Sequence, residues 1–299
     1  MSNEKKLCAK RLVIFLLLAF GLAWIPWIIL NRTAGYEEWF STNHYSLFAI
    51  PTLYAPALAN LLTRLMTKEG FSDMKLHLRL KGHLKYYLIA WLVIPAVSVA
   101  GMVIFNCVSG HWDFAEIADR LTFEEGLAAV LSILSFGPLA AFNTFGEEFG
   151  WRAYMNQKME PLLGTAGTVI TGGILWGIWH APLTVEGHNF GKDYPGYPYL
   201  GFLQMIFFCT AAGAVFMWLT KRTDSVYPAA IAHAVNNSGG AALGTLLLLN
   251  GVGDVEQYRP GFAANNLMQL PLYLLGIVML ILMLREKSPR RDSVPEGAA

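Results

Sequence analysis

The sequence predicts an all-α, polytopic membrane protein of about eight transmembrane helices, with N- and C-termini cytoplasmic. Three observations predict it. The 299 residues are 55% hydrophobic and only 14% charged, with a mean hydropathy of +0.41, whereas a soluble domain carries about 25% charged residues. Eight apolar runs reach the roughly 20 residues that a bilayer crossing needs. Positive charge alternates from one inter-run segment to the next. The same composition removes disorder. With 22 Lys+Arg against 21 Asp+Glu there is no basic excess for a nucleic acid partner. Cys8, Cys107 and Cys209 have the spacing of neither a disulfide scaffold nor a zinc ribbon.

The runs are 12–30, 46–66, 84–108, 127–155, 166–183, 200–220, 226–250 and 267–284. The first lacks a small-residue cleavage site after it and reads as a retained helix, not a signal peptide. With the N-terminus inside, all Lys and Arg except Arg32, Arg120, Lys192 and Arg259 fall on the cytoplasmic side, as the positive-inside rule requires. No internal repeat or linker divides the chain. Residues 1–284 therefore read as one intramembrane helical domain, and 285–299 as a polar, disordered cytoplasmic tail.

Charge inside the runs is rare. Of the acidic residues only Glu147 and Glu148 lie within a run, and of the histidines only His180 and His233. An ionisable group in hydrocarbon costs at least about 2.5 kcal/mol on insertion scales, so such groups mark function by default. In the fourth run Glu148 and Arg152 stand at i and i+4, the favoured order for an ion pair, while Glu147 points about 100° away and lacks that cation. It is the carboxylate suited to act as a general base on water. The alternative is that both glutamates pair with Arg152 only to stitch the bundle. In the fifth run Trp176 and His180 share a face at i and i+4. Pro182 follows closely, as it would if His180 merely ended the helix. In the seventh run His233 and Asn237 are i and i+4, a two-donor patch able to hold a developing oxyanion; Asn236 splays to the other side. The alternative here is an interhelical hydrogen-bond pair, worth about 0.6 kcal/mol.

Gly146 and Gly150, Gly173 and Gly177, and Gly240 and Gly244 each form a small-xxx-small pair beside a polar cluster. Such pairs permit close helix packing, so the three helices are expected to converge on one cavity. By these runs Glu147 and His233 lie in the cytoplasmic half and His180 near the outer end of its helix. Convergence then requires the fourth helix to continue past Arg152, through 153–160, to a turn at 161–164, with a cavity opening toward the cytoplasm or the inner leaflet. There is no His-Glu-x-x-His and no Gly-x-Ser-x-Gly. Gly251-Val252-Gly253-Asp254 matches an aspartyl-protease motif, but no second aspartate lies in any run.

Taken in order, Glu147-Glu148-x-x-x-Arg152, Trp176-x-x-x-His180 and His233-x-x-x-Asn237 resemble the CPBP family of CAAX prenyl endopeptidases and bacteriocin-processing proteins, also called the Abi family. The resemblance covers about 127–244, and the residues flanking the first two motifs are similar to its bacterial branch. It implies a glutamate-dependent intramembrane protease. Glu147 would activate the attacking water with His180 assisting, His233 and Asn237 would form the oxyanion hole, and Glu148 and Arg152 would support them. Trp176 stands where the family usually has Phe and would keep an aromatic wall. No cofactor is required on this reading; if a divalent metal such as zinc is bound, Glu147, His180 and His233 are the ligand set. The implied partners are a hydrophobic peptide or membrane-protein substrate and the lipid bilayer, in a bacterial cytoplasmic membrane, with processing of a small hydrophobic peptide or leader favoured over a prenylated substrate. The alternatives are a non-catalytic membrane binder or bacteriocin self-immunity protein on the same scaffold, and a solute or proton transporter, which would call for inverted repeats that the sequence lacks.

Overall fold

The computed structural model describes residues 2–41, 51–109, 122–237 and 261–286. The start of the second run, the end of the seventh with Gly240 and Gly244, the 251–254 motif and the tail from 287 lie outside the described residues. In chain order the described helices are α1 (Asn3–Thr33), α2 (Tyr36–Ser41), α3 (Ala55–Thr67), α4 (Leu84–Ser109), α5 (Phe123–Gly150), a π-helical turn (Trp151–Met155), α6 (Asn156–Trp179), α7 (Ala181–Thr184), α8 (Tyr199–Thr223), α9 (Tyr227–Val235) and α10 (Phe262–Arg285).

The all-helical, membrane-spanning class is borne out. In hydrocarbon each backbone N–H and C=O must find its partner within the segment, which a helix achieves. Among the described residues five stretches are long and apolar enough to cross a membrane: Asn3–Thr33, Leu84–Phe105, Ala140–Trp179, Tyr199–Thr223 and Phe262–Arg285. The expected count of eight differs for two reasons. The second and seventh runs are only partly described, as α3 and α9. The fourth and fifth are joined in one helical stretch. That stretch nevertheless turns back on itself. Gly164 adopts φ 70°, ψ 176°, a conformation open to glycine because it has no Cβ. Residues on either side then meet: Trp151 packs on Trp179 with ring centroids 5.7 Å apart, and Gly172 lies beside Asn156. The expected continuation past Arg152 to a turn at 161–164 is thus observed.

This hairpin resolves the depth of the polar residues. Glu147 lies roughly 17 residues before Gly164 and His180 roughly 16 after it, and at about 1.5 Å per residue they reach similar heights. The π turn between them is packed on α3. A π turn leaves a backbone carbonyl without its i+4 partner, and buried Asn60 supplies one by donating from Nδ2 to the Phe149 carbonyl at 3.0 Å. Helix α8 is the centre of the bundle, packed between α6 and α10, while α9 lies on α5 and α3 bridges α1 and α5. Exposed Leu and Ile on α1, α4 and α10 face outward, as lipid-contacting surfaces do.

The glycine pairs do not work as expected. A Cβ on Gly150 would come within 2.3 Å of Pro56 Cβ, and one on Gly173 within 2.3 Å of Thr210 Oγ1. They bring α5 against α3 and α6 against α8, behind the polar helices rather than between them.

Candidate active site

Each polar motif reaches the interior by a different route. Glu147 and Glu148 are carried on the last turn of α5 and are 7% and 0% exposed. Trp176 lies one turn from the end of α6, and His180 is the residue at which α6 ends and α7 begins. His233 is on α9; Asn236 and Asn237 continue it as a π-helical turn. All of these except Glu148 line one cavity of about 520 Å³.

The hydrogen bonds divide the two glutamates. Trp176 Nε1 donates to Glu147 Oε2 at 2.7 Å, and Oε1 has no hydrogen-bond partner among the described residues. Glu148 faces the other way. Its Oε2 lies 3.1 Å from Arg152 Nε, the i,i+4 pair expected, and its Oε1 accepts from His233 Nδ1 at 2.9 Å. The Arg152 guanidinium also sits 4.2 Å from the Trp176 ring centroid, where the cation meets the negative face of the indole. Trp176 was expected to be only a wall; it also donates to the candidate base. Glu148 was expected to support through Arg152; it also holds His233.

The histidine tautomers follow from their acceptors. His180 Nδ1 lies 2.9 Å from the Trp176 carbonyl. A carbonyl only accepts, so Nδ1 carries the proton and Nε2 of the neutral ring is a proton acceptor. His233 Nδ1 likewise donates, to a carboxylate. Its Nε2 becomes a donor only when the ring is doubly protonated, a positive charge that adjoining Glu148 offsets. One imidazole is therefore set to accept a proton and the other to donate once charged. His233 is further fixed between Phe216, stacked at 5.6 Å, and the edge-on Trp176 at 5.4 Å.

Asn237 lines the cavity at its exposed rim, and so does Asn236, which the helical spacing had turned away. Nothing in the single-helix pattern reveals a local change to π geometry. Further amides were missed: Asn143, Gln204, Asn265 and Gln269 also face the cavity. Asn143 stands four residues before Glu147, so helical spacing alone could have found it. Gln204 and Gln269 are uncharged polar residues inside apolar runs, a weaker signal of the same kind. At the rim, His188 meets the Tyr36 hydroxyl through Nδ1 at 2.7 Å, and burial holds its pKa down to about 4, leaving it neutral.

One expectation fails here. The cavity reaches His188, Asn189 and Phe190, beside the end of α1 where Asn31 Nδ2 donates to the Pro182 carbonyl. That end is opposite the basic loops, so the lining does not run toward the side that the charge pattern makes cytoplasmic. The metal set was conditional on a bound ion. Among the described residues no three His, Cys, Asp or Glu side chains stand together as a metal site. The Trp176 indole stands against all three members of the expected set.

Comparison with known proteins falls on the same stretch of sequence. Residues 128–239 match the family model described as type II CAAX prenyl endopeptidase Rce1-like, a span that contains every motif residue above. A CAAX prenyl protease 2 of Methanococcus maripaludis is 25% identical over 234 residues, covering 75% of this chain and 82% of the relative. The ordered motifs all fall inside residues 128–239, and over that segment the chain is similar to type II CAAX prenyl endopeptidases.

Proposed function

We propose that the protein is an intramembrane endopeptidase that hydrolyses a peptide bond in a hydrophobic or membrane-associated peptide. The observation that carries this is the convergence of Glu147, His180, His233 and Asn237 on a single cavity inside the bundle. Glu147 Oε1 takes a proton from a water molecule, with His180 Nε2 as a second acceptor for it. The hydroxide adds to the substrate carbonyl carbon. The oxygen that becomes negative is held by Asn237 Nδ2 and by His233 Nε2 in its charged form. Collapse of the tetrahedral intermediate expels the amine, which takes up the proton that Glu147 holds. The two carboxylates act separately. Glu147 moves the proton, while Glu148 orients His233 and offsets its charge.

The substrate is a peptide held at the membrane, since apolar and aromatic side chains share the lining with amides. A short hydrophobic peptide or leader is the first candidate class. A prenylated C-terminal peptide is the second, favoured by the name of the methanogen relative.

Purified protein tested on quenched-fluorescent hydrophobic peptides, wild type against Glu147→Ala, with and without chelator, examines this reading. Cleavage that chelator leaves intact and that disappears in the variant is expected. Cleavage lost to chelator would point to a bound metal, and equal cleavage by the variant would remove Glu147 as the base.

A further inference from the structure

The segment between α3 and α4 is unlike any other loop of the chain. Residues 75–85 read Lys-Leu-His-Leu-Arg-Leu-Lys-Gly-His-Leu-Lys, alternating basic with apolar side chains. The strap is not buried: Leu78 is 55% and Leu80 48% exposed, and Leu76 and Leu84 are exposed as well. It is nonetheless anchored. Val226 N donates to the Lys75 carbonyl at 2.9 Å, the Tyr87 hydroxyl donates to the Leu78 carbonyl, and Lys75 and Arg79 close on Asp224 at 2.5 and 3.1 Å. Uncovered leucines on a fixed backbone need an apolar surrounding. The strap runs directly into the apolar span Leu84–Phe105, so they lie at the edge of the hydrocarbon.

The charges state what surrounds them. Asp224 occupies Lys75 and Arg79. Lys85 lies over the Tyr86 ring. The side chains of Lys68, His77 and Lys81 engage no partner among the described residues. This leaves a net positive strip at headgroup height, with leucines beside it at acyl-chain height. We propose that 75–85 is a seat for anionic phospholipids, with the headgroup phosphate on Lys81 and Lys85 and the acyl chains on Leu76, Leu78 and Leu80. Juxtamembrane basic clusters attract anionic lipid by about 1 kcal/mol per Lys or Arg. The seat also adjoins the helix of His233, because Asp224 and Val226, which hold the strap, directly precede α9.

Native mass spectrometry of the purified full-length protein, titrated with phosphatidylglycerol or phosphatidylcholine, tests the seat. Wild type is expected to bind phosphatidylglycerol first. Lys81→Gln with Lys85→Gln is expected to weaken that preference by about fivefold for each charge removed. Leu78→Ser with Leu80→Ser is expected to weaken both lipids. Lys192→Gln, on the opposite end, serves as a control and leaves the preference intact. Equal binding of the two lipids by wild type would overturn the proposal, as would a preference unchanged by the double lysine variant. Neither readout depends on peptide cleavage.

Discussion

Charge is buried twice in this bundle, and the two places behave differently. At the basic end the buried Glu69 carboxylate is held by Arg11, Tyr154 and Lys158, and beside it the half-exposed Asp73 is held by Arg64 and Lys158. Their carboxylates are used up by neighbours. At the polar centre Glu147 has one donor, Trp176, and presents its second oxygen toward a cavity. A buried carboxylate is therefore not by itself a site. What distinguishes Glu147 is that it borders the cavity with no cation paired to it, whereas Glu148 is shut away from that cavity. Glu148 is ion-paired to Arg152 through Oε2 and accepts from His233 through Oε1, so it links the two across helices.

The contrast can be broken first at His233. His233→Ala removes the proposed oxyanion donor and is expected to cost about 10²–10³-fold in kcat, with the protein still folded by circular dichroism. A variant within threefold of wild type would detach α9 from the chemistry. Glu148→Gln sharpens the division between the carboxylates. The amide oxygen still accepts from His233 but no longer offsets its charge, so kcat should fall roughly tenfold or more. A purely structural pair would lower stability and leave kcat per folded molecule unchanged. Trp176→Phe keeps the ring and deletes the donor to Glu147. A hydrogen bond to a charged group contributes about 1.5–3 kcal/mol, and part of that is expected as a rate loss with unchanged peptide binding.

The smallest effect belongs to the basic end. Burial opposes ionisation of Asp73, but Arg64 and Lys158 outweigh it and hold its carboxyl below the ordinary 3.8. A carboxyl lowered on folding stabilises the protein above its unfolded value, and that contribution is lost as pH falls through the lowered one. The melting-temperature difference between wild type and Asp73→Asn should thus be present at neutral pH, begin to shrink as the pH falls past 3.8 and vanish only below the lowered value. A difference independent of pH would deny the ion pairs their role.

How far the sequence foretold this depends on which residue is asked about. Glu147, His180 and His233 stood out because ionisable groups in apolar runs are costly, a property of each residue alone. The Glu148–Arg152 pair followed from i,i+4 spacing within one helix. The Glu148–His233 bond, which joins residues 85 apart, and the Trp176–Glu147 bond did not follow, because they depend on how helices rotate about one another. That rotation is set by the π turn at 151–155 and the reversal at Gly164. The glycine pairs announced close packing but not the partner, and the helical period placed Asn236 on the wrong side because α9 ends in π geometry. The side toward which the cavity runs is fixed by the 185–198 connection, whose sequence carries no periodic signal.

The most direct test measures the two buried glutamates together. Specific activity per folded molecule and melting temperature are determined for Glu147→Gln and Glu69→Gln in the same membrane mimetic. Glu147→Gln should lose about 10²–10⁴-fold in turnover with its melting temperature unchanged or raised. Glu69→Gln should melt much earlier, since breaking a buried ion pair costs about 3–5 kcal/mol, while each folded molecule turns over normally. Near-normal turnover by Glu147→Gln would contradict the account.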